Sequence, residues 1–216
     1  MPQLLLVAHG TRSIAGSATM SRLFDAIRAA RPGVSVRLCF LDVARPTLAD
    51  ALAQVQAPTV LVPLLLSTGY HTMIDIPRAV AGRPGVRVAS HLGPDELLVD
   101  VLVDRLAAAS SGGPTSRTIL VGAGSSRPEA AAELAKTAGL LAARLGRRVH
   151  LLTMAEDLAE AFAGATAGVE VATYLLAEGQ FLDRLHSAGQ GRVTIAEPLG
   201  VHPGLVSLVW ARYDAV

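Results

Sequence analysis

Short apolar runs alternate with longer stretches of helical period along the whole chain. Gln3-Leu4-Leu5-Leu6-Val7-Ala8 is apolar at nearly every position, and comparable runs recur at 34–41, 58–66 and 86–89. Each is followed by an Ala-, Leu- and Arg-rich segment whose apolar residues fall three and four apart, the spacing of one helix face. Runs apolar on both faces and separated by helices predict parallel strands in a sheet covered on each side. Beyond Ser110-Ser111-Gly112-Gly113-Pro114-Thr115-Ser116 the alternation resumes, with runs at 118–123, 148–153, 169–174 and 193–196. The expected fold class is α/β, with two similar lobes, each a four-stranded parallel sheet flanked by helices.

The two halves also match residue by residue. Leu5-Leu6-Val7-Ala8-His9-Gly10-Thr11 lines up with Ile119-Leu120-Val121-Gly122-Ala123-Gly124-Ser125, and Gly69 with Gly179. Leu92-Gly93, Leu98-Val99 and Arg105 line up in the same way with Leu199-Gly200, Leu205-Val206 and Arg212. Three anchors in one order indicate an internal duplication. The expected domains are therefore 1–112, an N-terminal lobe carrying the chemistry, and 117–216, a degenerate copy forming the opposite wall of a cleft.

Composition narrows the function classes. Of 216 residues, 51% are hydrophobic and 17% charged, and mean hydropathy is +0.43, which suits a compact core and excludes intrinsic disorder. A net charge of +1 and 4% aromatic residues provide neither the basic field nor the stacking platform of a nucleic-acid binder. The single Cys39 cannot form an internal disulfide. No basic leader opens the chain and no run reaches the about 20 apolar residues of a membrane span, so a cytoplasmic protein is expected. Eighteen of the 19 basic residues are Arg, with Lys136 the exception; coding bias explains this, and a substrate rich in carboxylates would also exploit it.

In open parallel sheets ligands bind beyond the carboxyl ends of the strands. In the first half those positions hold His9, Asp42 and His71. Two imidazoles and a carboxylate at one edge suit a divalent first-row metal, and neutral imidazole is also the natural base near pH 7. The second half has Ala123, approximately Met154, and Gln180 or Phe181 at the matching places, so the reactive groups are confined to one copy. Gly10-Thr11-Arg12 and Ser125 with Arg127 sit at helix starts, where Thr11 and Ser125 serve either as N-caps or as anion contacts. His202 and His91 precede the last helix of each half, as caps or substrate contacts, and His150 and His186 receive no role.

In combination these residues resemble the class II sirohydrochlorin chelatases, the CbiX and SirB group. The resemblance rests on Val7-Ala8-His9-Gly10-Thr11-Arg12, on Phe40-Leu41-Asp42 followed by Pro46, and most specifically on the run from Pro63 through Gly69-Tyr70-His71 to Asp75-Ile76-Pro77. It implies ATP-independent insertion of Co²⁺ or Fe²⁺ into sirohydrochlorin, leading to cobalamin or sirohaem, with no cofactor beyond the substrate metal. It also implies His9 and His71 as the catalytic histidines, with Asp42 joining them as metal ligand where the family usually has Glu. Ile74 stands where the family often has an acidic residue. Gly10, Thr11, Arg12, Arg45, Ser125, Arg127 and His202 are the expected substrate contacts, and a monomer is the expected state, with a homodimer as the alternative. Two rival readings are a non-catalytic tetrapyrrole or metal carrier and a histidine phosphatase, the latter disfavoured because Ala8 replaces the Arg that precedes the nucleophilic His in that class.

Overall fold

A computed structural model of the chain describes residues 1–55, 58–110, 112–165 and 168–216. Ser111, inside the expected linker, lies outside the described residues. All eight predicted strands form, each end within two residues of its expected limit. The first sheet holds β1 (Gln3–Ala8), β2 (Val36–Phe40), β3 (Thr59–Leu64) and β4 (Val86–Val88) in the order β2-β1-β3-β4. The second holds β5 (Arg117–Gly122), β6 (Val149–Thr153), β7 (Val169–Tyr174) and β8 (Thr194–Ile195) in the order β6-β5-β7-β8. Every pairing is parallel. The strands at the centre of each sheet are buried on both faces, as largely apolar sequences require, and the polar Thr59, Thr118, Glu170 and Thr173 are buried with them.

The helices are α1 (Ile14–Ala30), α2 (Leu48–Ala53), α3 (Ile76–Val80), α4 (Glu96–Ala109), α5 (Pro128–Leu145), α6 (Leu158–Ala163), α7 (Gln180–Gly189) and α8 (Pro203–Asp214). Their starts are chemically marked. Ser13 caps α1 through the Gly16 N–H, Thr47 and Asp50 form a reciprocal capping box on α2, and Asp95 caps α4. One face of the first sheet buries Leu5, Val7, Cys39 and Leu61 against Leu48, Leu52 and Ile76. Burial pushes the Cys39 thiol up to about 12, which leaves it an inert core residue. The corresponding face of the second sheet buries Ile119, Val121 and Val171 against Leu158, Phe162, Leu182 and Leu185.

The opposite faces depart from the order of the chain. The compact units are Met1–Gly93 with Val201–Val216, and Pro94–Gly200. The repeat boundary near 110–116 is therefore not the packing boundary: α4, which ends the first half, packs with α5 and β7, and α8 packs with α1 and β3. The Leu-Gly turns at Leu92-Gly93 and Leu199-Gly200 are where the chain changes unit. Arg105 on α4 donates from Nε and Nη2 to the Leu199 carbonyl, at 3.3 and 2.8 Å. Arg212 on α8 does the same for His91 and Leu92, at 3.0 and 2.8 Å. These paired arginines satisfy carbonyls at the turns that direct the exchange. On the first unit α8 is further held by Trp210 Nε1 donating to Ile27 O at 3.2 Å, by Tyr213 Oη donating to Pro2 O at 2.6 Å, and by the Arg31 fork on Asp214.

This exchange makes a direct prediction. A protease site placed between Gly112 and Gly113 and cut in the folded protein is expected to leave residues 1–112 and 113–216 together on size-exclusion chromatography, because each unit draws chain from both pieces. Separation of the pieces without denaturant would contradict the exchange.

Candidate functional site

In the first unit Ala8 at the end of β1 lies in register with Phe40 of β2 and with Leu64 of β3. Three loops therefore leave the sheet at one edge. The β1–β2 pairing continues past the strands, with Leu41 N–H donating to Ala8 O at 2.9 Å and Asp42 N–H to His9 O at 3.0 Å. That continuation carries the Asp42 peptide directly over Gly10. A Cβ on Gly10 would lie 2.1 Å from Asp42 O, and Gly10 has φ +99°, so only glycine fits. Asp42 then turns the loop: its Oδ1 accepts from Val43 N–H at 2.7 Å, and Val43 adopts φ +50°, unusual for a β-branched residue. The loop closes through a cis Arg45–Pro46 bond, with Phe40 N–H donating to Pro46 O at 3.0 Å.

The loop after β3 is set by Thr72. Its hydroxyl accepts from Gly69 N–H at 2.8 Å and donates to Gly69 O at 3.0 Å. From there the chain enters a π-helical turn over His71–Asp75 before α3 begins. Such turns are rare and concentrate at functional sites. Within it His71 Nδ1 lies 2.7 Å from Asp75 Oδ2. An ionised carboxylate only accepts, so this bond places the proton on Nδ1 and leaves the Nε2 lone pair of His71 for a metal or a proton.

His9 and His71 come together from separate strands, with ring centroids 4.9 Å apart and planes tilted by 48°. Partial burial and the neighbouring His71 both hold the His9 pKa below its ordinary value, against the opposing pull of Asp42. His9 is therefore neutral at pH 7, the form that ligates metals and accepts protons. Asp42 is exposed and acts on His9 through charge. Among the described residues no set of three His, Cys, Asp or Glu side chains comes close enough to hold a metal ion together. Large apolar side chains on the same loops face solvent: Val43, Tyr70, Met73 and Ile74, with Tyr70 59% and Met73 54% exposed.

The other expected contacts have local employment. Thr11 Oγ1 accepts from Ser13 N–H at 3.1 Å, so the α1 cap is Ser13 and Thr11 braces it. Ser125 Oγ likewise accepts from Arg127 N–H at 3.2 Å, and Arg127 occupies the cap position of α5. Neither hydroxyl is an N-cap. Arg45 pairs with Asp50 at 2.9 Å, Arg12 is exposed, and His202 caps α8 by accepting from Gly204 N–H at Nδ1, 3.1 Å. Strand register also refines the comparison of the copies. Leu41 and Met154 both donate to the last residue of the central strand, so Asp42 corresponds to Ala155 rather than Met154. Leu64 corresponds to Tyr174, which sets His71 against Phe181. Asp75 then corresponds to Leu185, a fully buried core residue. Asp75 is the neighbour of His71 that sequence reasoning passed over; its place four residues after His71, just before Ile76-Pro77, was the available signal.

Comparison with known proteins converges on one group. The sequence profile of the CbiX family matches residues 3–109. A sirohydrochlorin ferrochelatase of Bacillus subtilis (strain 168) is 27% identical over 148 residues, 64% of this chain and 57% of the relative's length. Among solved structures, SirB from Bacillus subtilis with Fe³⁺ superposes with a TM-score of 0.82 at 24% identity, covering 99% of this chain and 95% of SirB. SirB of Bacillus subtilis subspecies spizizenii in complex with cobalt gives 0.82 at 23% identity over 99% and 94% of the two chains. CbiX, described as the terminal enzyme for biosynthesis of sirohaem in denitrifying bacteria, gives 0.73 at 22% over 99% of both chains. At these identities the structural likeness is one of fold, and it extends through both sheets.

Two measurements follow from the geometry. In the metal-free protein His9 is expected to titrate below 6.5 by NMR. The unfolded chain then binds that proton more tightly, so the His9 contribution to stability is intact above pH 6.5 and is lost as pH falls from there through the lower folded value. Asp42→Asn should lower the midpoint further and His71→Ala should raise it; a wild-type midpoint at or above 6.5 would contradict the assignment. Gly10→Ala is expected to cost about 2 kcal/mol or more in urea denaturation, from positive-φ strain and the clash with Asp42 O. Gly69→Ala, with no atom within 4 Å of its added Cβ, should stay within about 0.5 kcal/mol of wild type.

Proposed function

We propose that this chain, whose residues 3–109 match the CbiX family, is a member of that family and a sirohydrochlorin chelatase, inserting Co²⁺ or Fe²⁺ without ATP on the way to cobalamin or sirohaem. The pairing of His9 with His71 at 4.9 Å carries this reading. Insertion exchanges one M²⁺ for two pyrrole N–H protons, so the site must hold a cation loosely and accept protons with the same groups. Imidazoles in their neutral form do both, because metal binding and proton uptake compete for one lone pair on each ring. A closed four-ligand cage would retain the ion; two imidazoles with Asp42 nearby leave coordination positions for the incoming ring nitrogens.

In this reading His9 ligates the metal and accepts the first proton, His71 ligates through Nε2, and Asp42 balances charge. Asp75 fixes the His71 tautomer and ring orientation, as carboxylates behind metal-bound histidines do. The exposed Val43, Tyr70, Met73 and Ile74 supply an apolar surface for the face of a macrocycle. Arg12 and Arg45 are proposed contacts for its peripheral carboxylates, with Arg45 leaving Asp50 to make them, and Gly10 and Thr11 hold the loop that presents them. Ser125, Arg127 and His202 are retained as weaker substrate contacts, since each already serves a helix start. Iron and cobalt differ little in preference for such donors, so both are expected to be accepted.

Incubating the protein with sirohydrochlorin and either metal, and following the visible spectrum, tests the reading; a rate equal to the uncatalysed one rejects it. His9→Ala and His71→Ala are each expected to lose about 100-fold or more in turnover. Asp75→Ala should lose about 10- to 100-fold, while Phe181→Ala, the counterpart of His71 in the other unit, should leave the rate within about twofold if the chemistry belongs to the first unit.

A further inference from the structure

The second unit contains a basic cavity along its edge strand β6. It measures about 480 Å³ and is lined by Arg117 at the start of β5, by Arg148, His150 and Leu152 along the edge strand β6, and by Ala161 of α6. No acidic side chain appears among the described residues that line it. Arg117 Nη2 donates to Ala161 O at a long 3.3 Å, and its buried Nε–H has no acceptor among the described residues. Leaving a buried donor unpaired is costly, so native structures supply an acceptor, from protein, water or a bound ion.

The duplicated half shows how these positions look when they are merely structural. Arg117 corresponds to Gln3, and His150 to Arg37. Gln3 donates to Thr59 Oγ1 at 2.8 Å, and Arg37 donates to Gln54 Oε1 at 2.5 Å. Each donor there is matched by an internal acceptor. In the second unit Val169 replaces Thr59, the Arg117 side chain makes only the long bond to Ala161 O among the described residues, Arg148 adds a second cation where the first unit has Ser35, and the cavity borders these groups. Burial together with Arg148 and Arg117 keeps the His150 pKa below its ordinary value, so its ring enters as a neutral donor. Two guanidiniums and one imidazole N–H, with no carboxylate to balance them, complement a small oxyanion.

We propose that this cavity binds a phosphate or carboxylate group of a small metabolite, with Arg117, Arg148 and His150 as its donors. The proposal is independent of the chelatase reading and of the histidine pair. It is tested by titrating isotopically labelled full-length protein with inorganic phosphate, and separately with succinate, at constant ionic strength and pH, while following the Arg117 Nε–H and His150 ring signals by NMR. Saturable shifts confined to these groups are expected, and whichever of the two anions saturates first assigns the phosphate or carboxylate source. Arg148→Ala should weaken binding about tenfold or more, whereas Arg87→Ala, an exposed arginine on β4, should leave it unchanged. Shifts that never saturate, which is the result if water alone fills the cavity, would overturn the proposal. Equal weakening by both variants would also overturn it, as the mark of unspecific charge attraction.

Discussion

The parallel register of β1 between β2 and β3 is the constraint on which the site depends. Because Ala8 stands level with Phe40 on one side and Leu64 on the other, the three following loops leave from one line of backbone. A slip of one residue in either pairing would move His9, the Asp42 loop or the π-helical turn out of reach of the others. Gly10 is the price of this closeness, since the first and second loops touch backbone to backbone and leave no space for a side chain. The site is thus built from sheet geometry first and side chains second.

The duplication shows how little the fold demands of the reactive residues. Both copies keep the sheet order, the glycine after the first strand and the arginine on the exchanged helix. Where the first copy has His9, His71 and Asp75, the second has Ala123, Phe181 and Leu185. Leu185 enters the hydrophobic core, whereas Asp75 faces His71. The matching segment of the second unit is an ordinary α-helix, α7, where the first winds a π turn. The proposed site is therefore a local departure within a sheet framework that both units share.

Much of this was legible in the sequence because strand periodicity and burial report the same physics. All eight strands, the α/β class and the pairing of His9 with His71 follow from apolar runs and from residues placed at strand ends. What was not legible depends on contacts between segments remote in sequence or on side-chain direction. Thr11 and Ser125 read either as caps or as anion contacts; as caps they fall short, because each helix begins two residues later. Asp42 read as a ligand or as charge balance; its carboxylate turns its own loop, through Val43 N–H, and acts on His9 through charge. The helix exchange left no trace, since the covalent repeat is the same whichever sheet its last helix covers.

That exchange sets an order of assembly. The second unit, Pro94–Gly200, is one continuous stretch, and its sheet and helices are all available once residue 200 has left the ribosome. The first unit is not: its sheet is made early, but the face beneath α8 stays open until residues 201–216 emerge, and Tyr213 then bonds to Pro2. The half of the chain synthesised first is therefore finished last. Loss of a short stretch from the end of α8 would act at a distance of nearly the whole sequence, loosening the sheet that aligns the histidine pair while leaving the other unit intact.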